Sequence, residues 1–390
     1  MTSVTADTRA AVDRMLDEVA AEVGLDDFGD PSFRDGLEAV HASGTTQAGL
    51  TPMGLAVFDG QVRGSLRNRL RVTDWHRRHP DLAGSRVDQP LFIVGLSRTG
   101  TTALSQLLAC DPANRSLLGW EANQSVPPPA RDEYATDPRF EAALSSDGML
   151  DAINPGFKAI HHDPAGQPIE CAVVLAQHFL SASLSTCFNV PDYDAWMLAA
   201  DGHGAYAYHR QVLQVLQSQY AGNWQLKSPV HCHFITALHD TYPDARFVVT
   251  HRDPVKAVAS VMSLVESLTG TFSDADHHRY IAQHWPVMVQ AMCDRVLDFR
   301  DEHPDAPFHD MPYEQLVRDP VGAVRDLYRT LGRELSPHAE HAMRAHADAA
   351  PQGVHGLHTY RLADFGLTRD EVADRFTRYY ERFDVPREDA

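Results

Sequence analysis

The tightest constraint in the sequence is a short apolar run, Leu91-Phe92-Ile93-Val94, set between Pro90 and Gly95. Apolar at every position and too short for a helix of its own, it reads as a strand buried on both faces, as in a parallel sheet. From Thr101 the spacing becomes helical, with Ala103, Leu104, Leu107 and Leu108 available for packing. Between strand and helix lies Gly95-Leu96-Ser97-Arg98-Thr99-Gly100-Thr101-Thr102, with two glycines, four hydroxyls and one guanidinium. Such a loop can curl until its amides point inward, while the helix start adds unpaired amides and a positive end. The segment therefore predicts an anion site lined by Ser97, Arg98, Thr99, Gly100, Thr101 and Thr102. Arg98 offers a planar fork able to hold several phosphate oxygens, the 5'-phosphate of a nucleotide included.

The same alternation recurs downstream. Trp224 to Lys227 and Arg246 to Thr250 read as strands, followed by helices over about 229–240 and 254–265. Weaker strand signals lie at 116–119 and, on an edge, at 307–309. Repeated strand-to-helix transitions predict an α/β fold, a three-layer sandwich around a central parallel sheet, with ligands gathering at the carboxyl ends of the strands. Residues 6 to about 45 and 50 to 79 carry helical stripes, through Val12, Met15, Leu16, Val19, Phe33, Leu37, Val40, Leu66, Leu70 and Trp75. They predict a helical extension over 1–85, read as scaffold over the sheet, with a cap or a homodimer contact as alternatives. The main domain then runs from 86 to 390, with a mainly helical insertion at about 121–220. Apolar helical patterns fall at 171–184 and 205–219, and a loop and docked helix close the chain through Tyr360, Phe365, Val372, Phe376 and Tyr380.

A second polar motif follows the strand at 246–250. In His251-Arg252-Asp253-Pro254 the last two residues make a helix start, and Ser260 falls two turns into that helix. Arg252 can approach a phosphate from the strand end while Ser260 approaches from the helix. The first loop lacks the lysine of a Walker motif, having Thr101 in its place. A divergent P-loop kinase or ATPase and a noncatalytic nucleotide-binding protein remain the alternatives on these residues alone.

Taken together, the two motifs resemble the cofactor signatures of the sulfotransferase family that uses 3'-phosphoadenosine 5'-phosphosulfate (PAPS). Phe92 to Thr102 is similar to its 5'-phosphosulfate loop, with Arg98 replacing the lysine of many members, and Phe247 to Ser260 to its 3'-phosphate site. Trp224 to His231, and His358-Thr359-Tyr360 through Phe365-Gly366-Leu367, resemble a bacterial branch. The resemblance implies a P-loop-like phosphosulfate-binding loop and transfer of a sulfuryl group from PAPS to a hydroxyl, less readily an amine. The aromatic residues of about 121–210 point to an acceptor that is a small, partly apolar metabolite or a carrier-linked intermediate, of the kind met in secondary metabolism. The resemblance makes Arg98 and Lys227 the groups that stabilise developing charge, and Glu121 the first candidate for the base that takes the acceptor proton. His231 is the competitor, with His161, His162 and Glu170 behind it. Tyr360 falls where a covering contact on the nucleotide is expected, although the arginine-lysine-glycine segment of the eukaryotic-type branch is absent. Phe157, Phe179, Phe188, Tyr193 and Trp196 are candidates for the acceptor pocket, and core packing explains each of them equally well.

Composition narrows the partners. With 53 acidic against 34 basic residues and a formal charge of −19, the chain would repel nucleic acid and anionic membranes on average. Five widely spaced cysteines suggest reduced thiols, not a disulfide framework. Among 22 histidines chance pairs are expected, and His161-His162-Asp163 does not make a metal shell, so no metal is expected. The start of the chain lacks an apolar signal core, and no run reaches the roughly eighteen apolar residues of a membrane span. A cytoplasmic location is the expectation that follows.

Overall fold

The computed structural model describes residues 4–155, 157, 164–349 and 360–388. Three helices open the chain: α1 (Ala6–Val23), α2 (Phe33–Thr46) and α3 (Pro52–Arg78). The Thr5 hydroxyl caps α1 by accepting from Thr8 N–H, and Gly24 ends it in the left-handed conformation. The helical stripe expected over 6–45 is thus two helices with a break between them. Thr51 caps α3 in the same way, with Pro52 at its first position, where a missing N–H costs nothing. Arg69 of α3, only 2% exposed, donates to the carbonyls of Phe28 and Asp30 and lies over the rings of Phe33 and Tyr208. A buried guanidinium requires such partners, and here they fasten α3 to the chain before α2 and to the helix His203–Gln217.

The sheet has five parallel strands: β1 (Leu91–Gly95) followed by α4 (Thr101–Ala109), then β2 (Asn114–Ser116), β3 (Asn223–Lys227), β4 (Arg246–His251) and β5 (Phe308–Pro312), in the order β2-β3-β1-β4-β5. Alternation along β1 divides the core. Phe92 and Val94 face a large cluster that includes Val12, Leu37 and Leu66 of the first three helices, while Leu91 and Ile93 face Leu104, Leu107, Leu108 and Leu327. Helices therefore cover both faces, and each fully buried side chain of this size contributes about 1.5–3 kcal/mol. The amino-terminal helices share one apolar cluster with the sheet.

Several expected boundaries move. The strand placed at 116–119 is β2, ending at Ser116, and Gly119–Asn123 is a short helix. The helix expected from 229 begins as a 3-10 segment, Pro229–Phe234, and becomes α-helical over Ile235–Thr241. The pattern at 171–184 resolves into Ala172–Ala176 and Ala182–Cys187, with Phe179 at φ 56° between them. The edge strand reaches Pro312, and the helix begun at Pro254 runs on to Phe272. Phe179, Phe188 and Tyr193 go into the core, each no more than 1% exposed, so packing accounts for them.

Candidate active site

β1 lies between β3 and β4, and chain connections depart to both sides of it, which opens a crevice at the carboxyl ends of the strands. The loop after β1 fills that crevice. Gly95 has φ 142°, and a Cβ there would lie 2.7 Å from Thr250 Oγ1 of β4 and 2.9 Å from its carbonyl oxygen. Gly100 has φ 92° and directs the chain into α4, whose first amides receive no side-chain cap. Arg98 also adopts a left-handed φ, 68°, and its residue is exposed.

The hydroxyls of the loop divide in use. Thr99 is fully buried; its Oγ1 donates to the Leu96 carbonyl at 2.7 Å and lies 2.6 Å from Thr250 Oγ1. It pins the curl to β4, which departs from the expectation that it lines the anion site. Thr101 is 4% exposed at the first position of α4. Ser97 and Thr102 keep partial exposure, and Thr102 turns toward β3.

Lys227, the last residue of β3, is completely buried in its side chain. Its ammonium donates to Glu170 Oε1 at 3.0 Å and to Thr102 Oγ1 at 3.3 Å. Glu170 is held beside the strand end by a parallel bridge to Lys227, continued by Cys171 N–H donating to the Lys227 carbonyl at 2.9 Å. Its second oxygen accepts from Ser228 Oγ at 3.4 Å, and a quarter of its side chain stays exposed. A cation, a carboxylate with one side open and a loop hydroxyl thus meet at one point.

Glu121 has a different setting. It has no exposure, both its oxygens accept from Arg115, and Oε1 also accepts from Leu118 N–H at 3.0 Å. This is the geometry of a structural ion pair, and it departs from the expectation of a base at this position. His231 departs from its expected role as well. It is buried behind β1, 5.1 Å from the Phe92 ring, with Nδ1 2.7 Å from the Tyr206 hydroxyl and Nε2 unpartnered among the described residues. Burial, with His209 adding to it, holds its imidazole well below the ordinary value and so neutral.

The second motif does meet the first. Arg252 Nη1 donates to the Arg98 carbonyl at 3.0 Å, and the guanidinium lies 4.2 Å from the centre of the Tyr313 ring. Its Nε and Nη2 donate side by side to the Glu388 carboxylate at 2.7 and 2.9 Å. Asp253 caps the helix Pro254–Phe272, and Ser260 lies two turns in, 3% exposed. Tyr360 is half-buried at the margin of the larger core cluster. Sequence reasoning missed Thr250, Tyr313 and Glu388; only Thr250, in the last part of a recognised strand, left a signal. His161, His162 and the stretch His355 to Thr359 lie outside the described residues. Among the described residues no group of three or more His, Cys, Asp or Glu side chains is placed to hold a metal ion, and no helix is long and apolar enough to cross a membrane.

Known proteins match this arrangement. A sequence model described as "Sulfotransferase family" matches residues 90–337. The crystal structure of sulfotransferase STF9 from Mycobacterium avium superposes with a TM-score of 0.89 at 32% identity, covering 97% of this chain and 98% of that one. That of sulfotransferase STF1 from Mycobacterium tuberculosis gives 0.83 at 33% identity, covering 94% and 98%. Omega-hydroxy-beta-dihydromenaquinone-9 sulfotransferase Stf3 of Mycobacterium bovis is 26% identical over 260 residues, and the match spans 63% of each chain. The family match over the whole sheet and its crevice, with two structural likenesses across nearly the whole chain, establishes that this protein belongs to the sulfotransferase family.

Proposed function

We propose that this protein transfers a sulfuryl group from PAPS to the hydroxyl of a small, partly apolar metabolite or a carrier-linked intermediate. The observation that carries this reading is the Lys227 ammonium, buried between Glu170 and Thr102 where β3 ends beside the loop. Loop 95–102 is assigned the role of a P-loop-like cradle for the 5'-phosphosulfate, with its amides, Ser97, Thr101, Thr102 and Arg98 around the anion. Arg252 and Ser260 take the 3'-phosphate, and Tyr360 covers the nucleotide. The acceptor oxygen attacks sulfur, the bond from sulfur to the 5'-phosphate oxygen breaks, and the acceptor proton passes to Glu170. Lys227 and Arg98 compensate the charge that grows on the departing oxygen, an interaction stronger in the transition state than in the ground state. Glu170 replaces Glu121 as the base because one of its sides is open while Glu121 is enclosed. No step calls for a metal ion.

Family membership favours this chemistry over the kinase, ATPase and noncatalytic readings, as does Thr101 in place of a Walker lysine. The acceptor named for the Mycobacterium bovis relative, a hydroxylated compound, supports a hydroxyl acceptor. Within the same proposal, residues 121–220 of the main domain (86–390) supply the acceptor surface and 1–85 serves as scaffold. The exposed Met53 and Val57, one turn apart on α3, support a contact between two copies of the chain. A cytoplasmic location completes the reading. Incubation with PAPS and a panel of hydroxylated acceptors should release adenosine 3',5'-bisphosphate in proportion to sulfated product. Magnesium-dependent consumption of ATP, with PAPS untouched, would favour the kinase reading instead.

A further inference from the structure

The carboxyl end of β4 is gripped at three successive residues by the segment that ends the described chain. His251 Nδ1 lies 2.8 Å from the Tyr379 hydroxyl. Asp253, fully buried, accepts from Arg369 Nη2 at 2.8 Å, from the Tyr380 hydroxyl, and from the backbone N–H of Glu388 at 2.9 Å. Between these two, Arg252 makes its pair of parallel bonds to the Glu388 carboxylate. The bond from Glu388 N–H to Asp253 matters for the strength of that pair. It fixes the backbone from which the carboxylate projects, so less side-chain freedom is lost than in an ordinary exposed ion pair. A carboxylate on the Nε and Nη2 edge of an arginine also takes the two donors that a phosphate takes in bidentate binding.

We infer that Glu388 is an internal competitor for the 3'-phosphate position, holding Arg252 while the site is empty and recapturing it as the bisphosphate product leaves. This rests on the reading of Arg252 as the ligand of the 3'-phosphate. A nucleotide carrying that group brings negative charge against the Glu388 carboxylate and replaces its two bonds to Arg252. A nucleotide with a free 3'-hydroxyl gains nothing from Arg252 and leaves Glu388 seated. Arg369 and Tyr380 keep their bonds to Asp253 in either state, so the exchange is confined to the residues after the helix Thr377–Phe383. Because PAPS and its product share the 3'-phosphate, the device weakens both, and its use is in release, a step that often limits turnover.

The test is calorimetric binding of adenosine 3',5'-bisphosphate and of adenosine 5'-monophosphate, which differ only in the 3'-phosphate. Glu388→Gln removes the charge and retains the shape; it should bind the bisphosphate about tenfold more tightly, since a larger fraction of the protein then presents an open Arg252. Its affinity for the monophosphate should be unchanged. In an Arg252→Ala background the Glu388 substitution should have no effect on either ligand. Unchanged or weaker bisphosphate binding by Glu388→Gln, with the wild type still preferring the bisphosphate, would overturn the competitor role alone. Wild-type protein that does not distinguish the two nucleotides would overturn the reading of Arg252, and this inference with it. On the unmodified chain, amide exchange at Val385, Arg387 and Glu388 should rise on adding the bisphosphate and not the monophosphate; an unchanged or lowered rate would also overturn the inference.

Discussion

Two ion pairs on neighbouring strands, Arg115 with Glu121 and Lys227 with Glu170, use the same chemistry for different ends. Arg115 lies on β2, in register with Trp224 of β3, and is 2% exposed against 0% for Glu121. The rings of Tyr134, Tyr220 and Trp224 enclose its guanidinium at 5.1, 4.4 and 4.8 Å. Every oxygen of Glu121 is taken, and no side of the pair is open to another molecule. Lys227 is buried too, but its partner Glu170 keeps a quarter of its surface and only a long second contact, to Ser228. Burial of both partners makes a fastening, whereas one open carboxylate beside a buried cation leaves a place for a reacting group. Desolvating both charges is costly and repaid only by complete hydrogen bonding, so such a pair cannot release a partner without loss of structure.

Between the two cations, the larger effect on turnover is expected at Lys227→Ala, where it should fall by about 10²–10³-fold, as when a donor to developing charge is removed. Affinity for adenosine 3',5'-bisphosphate should change much less, and calorimetry beside steady-state rates separates the two. Arg115→Ala should act on the other quantity, lowering unfolding free energy by about 3–5 kcal/mol because Glu121 is left buried and unpaired. Chemical denaturation measures this; a stable variant with its turnover lost would place the Glu121 pair on the chemical side of the comparison.

A smaller effect is expected in the pH dependence of stability. Burial lowers the His209 imidazole to about 3, and its Nδ1 lies 2.7 Å from the Tyr242 hydroxyl deep behind β1. The folded protein keeps this group neutral while the unfolded chain takes up a proton near 6.5. Stability contributed by the neutral form is therefore present above about pH 6.5 and is lost progressively as pH falls toward 3. His209→Gln should lower stability at neutral pH and flatten the acid side of the profile, read as Tm against pH. An unchanged acid slope would mean that other buried groups carry it.

Much of the fold was legible because its signals were local. An apolar run at 91–94, a glycine-bounded loop and the helical spacing after Thr101 dictate strand, turn and helix without tertiary help, and Arg246 to Thr250 did the same for β4. The enclosure of Glu121 was not legible, because nearness to a loop in sequence says nothing of what closes over a side chain. Arg115, the three rings that enclose it and the turn at Leu118 are contributed by separate stretches. The use of the Thr99 hydroxyl was not legible for a related reason, since a hydroxyl in a phosphate-type loop serves the ligand or the loop according to where its neighbour Thr250 falls. Glu170 has nothing local to mark it, because its bridge is to Lys227, 57 residues away. Glu388 had no local signal at all, because its partner is 136 residues away.

The proposed transfer depends on Glu170 as the base, and single-turnover conversion of PAPS by Glu170→Gln, with bisphosphate affinity measured on the same protein, is the decisive measurement. The loss of a base predicts a rate lower by about 10²–10⁴-fold, with bisphosphate binding retained. A wild-type rate in Glu170→Gln would contradict the account and return the proton to another group.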